Sequence, residues 1–143
     1  MRGQLSIEMF IAMALALLFF GWLANFANAA SSSQASSSIL AQEKTVASAL
    51  ARLANTACVT NTSIQIPLPC ISTGSQTIPA YFINATNRTI RVVATGLNSS
   101  QAAAGAACQL SGGFEAQCSG GNAGQACVWN YNATIRISAG ACP

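Results

Sequence analysis

The 143-residue chain contains no histidine and no aspartate, and only three acids, Glu8, Glu43 and Glu115. Without His or Asp there is no His-based triad, no His-rich zinc site and no Asp-based calcium loop. Two-carboxylate chemistry would need two of three glutamates that lie far apart in sequence. No catalytic residue, metal ligand or cofactor is therefore assigned, and an enzyme is not expected. Charge of either sign is scarce: six cations and three acids make up 6% of the residues, against about 25% in an ordinary soluble domain. The six cations are scattered and form no basic patch, so nucleic acid is not an expected partner. Proline is absent before Pro67, and Gly21 is the only glycine between Gln4 and Ser72. The first part of the chain thus has almost nothing to break a helix.

What is present is apolar surface, 52% of residues, unevenly placed. Met9 to Ala24 reads MFIAMALALLFFGWLA, without a charge. With Leu5 and Ile7 the apolar region reaches about 20 residues, or about 30 Å of helix, the thickness of a bilayer core. Arg2 precedes it, so the positive-inside rule places the N-terminus in the cytoplasm and the remainder outside. One reading is an ordinary secretory signal, with Ala27-Asn28-Ala29 as a small-x-small cleavage site and a soluble product beginning at Ala30. Glu8, directly against the apolar run, argues against it. So does the lack of a Pro or Gly between that run and the residues after it.

The start of the chain, Met1-Arg2-Gly3-Gln4-Leu5-Ser6-Ile7-Glu8-Met9-Phe10, resembles the class III signal peptide of archaeal type IV pilins: a short basic leader, a glycine, then Gln-x-Ser-x-Glu entering an apolar helix. The resemblance covers about 20 residues, with the motif placed before the apolar run as in the family. It implies cleavage between Gly3 and Gln4, removal of residues 1–3 as a leader, and retention of the apolar helix. It also implies that Ser6 and Glu8 act in assembly, the Glu8 carboxylate meeting the new α-amino group of a neighbouring subunit's Gln4. An ionised carboxylate at the edge of hydrocarbon is costly unless it is paired. Glu8 is placed in the first turn of the helix, where its charge suits the dipole.

The helix is expected to span residues 4–57, about 80 Å. Within it, Ser31 to Ser38 holds six serines in eight positions. That is a linker composition, yet small residues also let helices approach closely; a continuous helix is preferred over a melted stretch. Ile39, Val46, Leu50, Leu53 and Ala57 follow 3-and-4 spacing, with Lys44, Ser48, Arg52 and Asn55 on another face. The apolar stripe should seat a head of residues 58–143.

The head reads as antiparallel β structure. Ile64, Ile66 and Leu68 alternate; Thr77 to Asn84 and Thr89 to Thr95 are strand-like, with Asn87-Arg88 as a turn between them. Val128 to Ser138 reads as one half-buried strand, with Trp129, Tyr131, Ala133, Ile135 and Ile137 on one face. Ala102 to Cys108 is expected to be a short helix or a loop, and Gly112-Gly113 and Gly120-Gly121 to be turns. All six cysteines, Cys58, Cys70, Cys108, Cys118, Cys127 and Cys142, lie at or after the helix end. With no CxxC and no His, they imply three disulfides in an exported head. Pairing of sequence neighbours, Cys58–Cys70, Cys108–Cys118 and Cys127–Cys142, is the first expectation among 15 connectivities.

Glycosylation sequons occur at Asn61, Asn84, Asn87, Asn98 and Asn132. The head's asparagine and hydroxyl content predicts about 1.3 by chance. A Thr- and Asn-rich β surface would generate some by composition, but glycans would also supply hydration that this weakly charged head lacks.

The expected protein is α+β: a long hydrophobic N-terminal helix followed by a small disulfide-stapled antiparallel β head. By resemblance it is a structural subunit of an archaeal type IV pilus-like surface filament used for adhesion or surface contact. Its implied partners are its own copies, a prepilin peptidase, and an assembly ATPase with its membrane platform; it would sit in the membrane before assembly. The alternatives are a membrane-anchored or minor pilin-like surface protein, and a secreted protein cut after Ala29.

Overall fold

The computed structural model describes residues 4–73, 76–95 and 101–143. The elements are a helix α1 (Gln4–Thr60) and seven strands: β1 (Ile64–Pro69), β2 (Ser72–Thr73), β3 (Gln76–Thr77), β4 (Ala80–Ala94), β5 (Ala102–Gln117), β6 (Asn122–Tyr131) and β7 (Thr134–Ala139). The chain divides into two compact units, residues 1–35 and 36–143. The boundary falls inside α1 because the second half of the helix belongs with the sheet.

The helix passes through residues 31–38 without interruption and ends three residues beyond the expected Ala57. Its polar side chains bond back to their own backbone: the hydroxyls of Thr45, Thr56 and Thr60 donate to the carbonyls of Ala41, Arg52 and Thr56. Such bonds satisfy hydroxyls that would otherwise compete with the helix. The stop is Asn61, at φ 54°, the left-handed residue that commonly follows a helix C-terminus.

From Ile39 onward α1 buries one face. Ile39, Val46, Leu50 and Ala57 are buried as the spacing predicted, joined by Ala47, Ala51 and Ala54; Leu53 is only half-buried. Each large aliphatic side chain on this face contributes about 1.5–3 kcal/mol by leaving water. The alanines add little area but bring the helix axis close to the sheet. Opposite them lie Ile83, Ile90, Val92, Val128, Ile135 and Ile137, all within one core.

The sheet is mixed rather than antiparallel. Its order is β1-β6-β7-β5-β4, and β5 runs parallel to β7, with Leu110, Ser111 and Gly112 opposite Ile135, Arg136 and Ile137. After β5 the chain crosses to β6, and β7 then folds back into the space between them. Alternation of apolar residues carries no information about strand direction, so this was not legible beforehand.

Four local expectations are corrected. The segments 77–84 and 89–95 are not two strands around a turn: β4 is one strand with an irregularity. Asn87 pairs with Leu110 but Thr89 with Gly105, so β5 puckers out over 106–109. Residues 102–108 are strand rather than helix or loop; Ala102 is buried and Ala104 and Ala106 half-buried against the core, so sheet pairing overrides alanine's helical preference. Gly112-Gly113 is not a turn but lies inside β5. A Cβ on Gly112 would stand 2.3 Å from the Ile137 carbonyl oxygen, and one on Gly113 2.8 Å from that of Ile83, so only glycine lets three strands meet there. Finally, 128–138 is a hairpin. Asn132 and Ala133 take φ 50° and 62°, the signs of a two-residue type I′ turn. Val128 faces Ile137 and Trp129 faces Arg136, so Trp129 and Tyr131 stand on the opposite face from Ile135 and Ile137.

Two of the three expected disulfide pairings are also corrected. The bridges are Cys58–Cys108, Cys70–Cys118 and Cys127–Cys142, with Cα separations of 6.5, 5.5 and 5.1 Å. Cys58 lies on the last turns of α1 and meets the pucker of β5, a contact made by the fold and not by sequence proximity. Asn55 reinforces it: its Oδ1 accepts a 2.7 Å bond from the Ala107 N–H. Higher up, the Gln42 amide donates to Ser72 O at 2.7 Å and accepts from Ser72 N at 3.0 Å. Glu43, fully buried, accepts at 2.7 Å from the Ala94 N–H.

Tyr81 is fully buried and donates to the Pro69 carbonyl at 2.9 Å. Burial pushes its hydroxyl up to about 12, whereas an unfolded tyrosine titrates near 10. Below pH ~10 both states hold the proton and the contribution is complete. Above it the unfolded chain releases the proton first, so stability should fall as pH rises from about 10 toward 12. Denaturant midpoints at pH 9 and 11 should separate more in the native protein than in Tyr81→Phe; equal separations would mean that Tyr81 plays no part.

Candidate functional site

The first unit carries an unusual surface. Between Ile7 and Phe26 thirteen large apolar side chains are exposed, from 39% at Leu23 to 73% at Phe10. They cover every face of the helix, so no single neighbour within the chain could bury them. Phe19, Trp22 and Phe26 stack in succession, with ring centroids 6.4 and 6.0 Å apart. Each such side chain left in water forgoes about 1.5–3 kcal/mol, and a soluble monomer has no compensation for that. By length and composition the helix could cross a membrane.

Of the residues assigned to processing and assembly, Gly3 lies outside the described residues. Gln4 and Ser6 lie in the backbone of α1, and Glu8 is exposed on it. The helix begins at Gln4, so Glu8 is its fifth residue, just past the first turn, which holds no acid. The dipole argument weakens accordingly, because the effect falls off within that turn.

In the second unit, Asn61, Asn84, Asn87 and Asn132 are exposed; Asn98 lies outside the described residues. Asn132 sits in the hairpin turn, not on the polar face of a strand. Three of these four asparagines have a backbone reason to be asparagine. Asn61, Asn87 and Asn132 take φ of 54°, 57° and 50°, the left-handed region that Asn tolerates better than most residues. Asn84 has no such reason, because it stands mid-strand in β4, where asparagine is disfavoured.

The outward face of the sheet has little charge. Arg136 lies over the Tyr131 ring at 4.4 Å, a cation–π contact across the hairpin. A shallow cleft crosses the sheet at Gly112 and Gly113, with Phe82, Asn84, Phe114 and Glu115 around it. The reading of the sequence missed this cleft. Its available signal was the two-residue spacing of Phe82, Asn84 and Thr86, which puts all three on one face of a strand. Among the described residues no three His, Cys, Asp or Glu side chains are grouped to hold a metal ion.

No protein-family model, curated protein or solved structure matches the chain.

Proposed function

We propose that this chain is the structural subunit of a surface filament of the archaeal type IV pilus kind. The helix over residues 4–35 would lie in the membrane before assembly and in the filament interior afterwards, with the disulfide-bonded unit outside. The observation that carries the reading is the apolar surface of α1 from Ile7 to Phe26, exposed on all sides. Such a helix needs either lipid or many copies of itself, and a pilin-like subunit would have the first before assembly and the second after it. The Gly3/Gln4-x-Ser6-x-Glu8 pattern supports this reading, since it resembles a processing site that frees the helix from its leader without removing it. The head supports it too: three bridges among six cysteines suit a unit that folds outside a reducing compartment. Partners on this reading are further copies, a prepilin peptidase, and an assembly ATPase with its membrane platform.

The test is intact mass measurement on the protein from its own cell surface, together with electron microscopy. A chain beginning at Gln4 in filaments is expected. A chain beginning at Ala30 would overturn the reading, and a chain cut at Gln4 but never found in filaments would leave a membrane-anchored surface protein.

A further inference from the structure

We propose that Asn84 carries an N-linked saccharide whose first sugar rests in the glycine-floored cleft against Phe82. The inference rests on the exported-head reading above and adds to it a particular residue and a particular seat. Asn84-Ala85-Thr86 is an acceptor sequon. Within β4, Phe82, Asn84 and Thr86 are exposed while Ile83 and Ala85 are buried, so the three share the outward face. Across the ladder Asn84 is paired with Gly113 and Phe82 with Glu115. Gly113 is required by the close approach of the Ile83 carbonyl. A consequence is that no side chain stands opposite Asn84, and on this face the space beside it is bounded by Phe82 and Glu115.

The chemistry of these walls suits a sugar. Phe82 is 47% exposed, and its ring offers an apolar face to the C–H face of a pyranose two residues along the same strand. The Glu115 carboxylate opposite it can accept hydroxyl hydrogen bonds. A second hollow continues from the same glycine pair toward Trp129, Arg136 and Ser138, which gives further sugars an aromatic ring and polar groups. The backbone does not account for the residue: Asn61, Asn87 and Asn132 occupy left-handed positions, whereas Asn84 does not.

Attachment is a group transfer from a lipid-phosphate-linked saccharide, catalysed by a membrane glycosyltransferase. The Asn84 Nδ2 forms a bond to the anomeric carbon, the bond from that carbon to the phosphate oxygen breaks, and the lipid phosphate leaves with the bonding pair. The amide gives one proton to the enzyme's base. The outward orientation of Asn84 and Thr86 leaves the sequon accessible and lets the sheet hold its pairing with the sugar in place.

The test uses the full chain from a host that exports and glycosylates it, analysed by glycopeptide mass spectrometry at all five sequons. Thermal unfolding is then measured for the native protein, Asn84→Gln, Phe82→Ala and the double variant. Asn84 should be occupied, and removing its sugar should lower Tm by roughly 2–5 °C in the native background and by less than about 1 °C in Phe82→Ala. An unmodified Asn84 beside occupied Asn132 or Asn61 would overturn this proposal and leave the filament reading intact. So would an occupied Asn84 whose removal shifts Tm equally in both backgrounds, since the sugar would then have no seat on Phe82. Unmodified asparagine at all five positions would overturn it as well, and imaging of filaments in the same preparation reports separately on the assembly reading.

Discussion

Replacing Gly3 by phenylalanine should leave the chain uncut and abolish filaments, while the protein stays in the membrane. The site proposed for cleavage places the smallest residue directly before the bond, and a ring there would not fit a subsite shaped for glycine. The apolar run from Met9 to Ala24 is untouched, so insertion should persist. Without cleavage Gln4 has no free amine. Glu8 would then enter the filament interior without the cation proposed to meet it, a cost of several kcal/mol for a carboxylate in a low-dielectric site. Glu8→Gln separates the two steps: it should be cut normally at Gln4, yet its filament yield should fall about tenfold or more, the effect of losing at least ~1.4 kcal/mol at each subunit contact. Intact mass and filament counts by microscopy read both variants. Filaments built from uncut Gly3→Phe, or a normal yield from Glu8→Gln, would remove the reason for placing an acid at that depth.

Loss of the Cys58–Cys108 bridge should destabilise the head more than loss of the Cys127–Cys142 bridge. The former closes a loop over a sequence separation of 50, against 15 for Cys127–Cys142. Loop-closure entropy makes the longer cross-link worth about 4 kcal/mol and the shorter one about 3 kcal/mol. Beyond entropy, Cys58 and Asn55 together hold the pucker of β5 onto the end of α1, where the β4–β5 ladder is broken. A domain of this size has about 5–15 kcal/mol in total, so Cys58→Ser with Cys108→Ser should lose a large share of it. Denaturant unfolding of the full chain in detergent, followed by Trp129 fluorescence in a Trp22→Phe background, measures this. A midpoint no lower than that of the Cys127→Ser, Cys142→Ser variant would refute the ranking. Peptide mapping without reductant should recover 58 linked to 108, and a 58–70 cross-linked peptide would refute the observed connectivity outright.

The parts of this fold legible in advance were those governed by neighbours along the chain. A helix with no proline and one glycine before Pro67 could be read directly, as could the seat of the sheet on the Ile39–Ala57 stripe. The parts that were not legible involve residues with two meanings. Asn87-Arg88 and Gly112-Gly113 carry the usual signs of turns, and both lie inside strands, one at a ladder irregularity and one where three strands crowd. Asn132-Ala133 lay hidden inside an alternating pattern that continues through a two-residue turn with its faces exchanged. The cysteines showed that bridges would form but not which, because Cys58 meets Cys108 through a pucker that no local pattern announces.

The sequence by itself determined the division between a long apolar helix and a cysteine-rich β unit, because helix breakers, apolar runs and cysteine positions act locally and along one dimension. The processing and glycosylation proposed above also rest on the sequence, in the Gly3/Gln4 pattern and the Asn-x-Ser/Thr sequons, because both are short linear patterns. Only the tertiary structure decided the parallel pairing of β5 with β7, two of the three disulfides, and the cleft beside Asn84. Each of these depends on which segments distant in sequence share a surface, and that is set by burying α1's second half and the sheet's aliphatic residues in one core, not by any single segment's own preference.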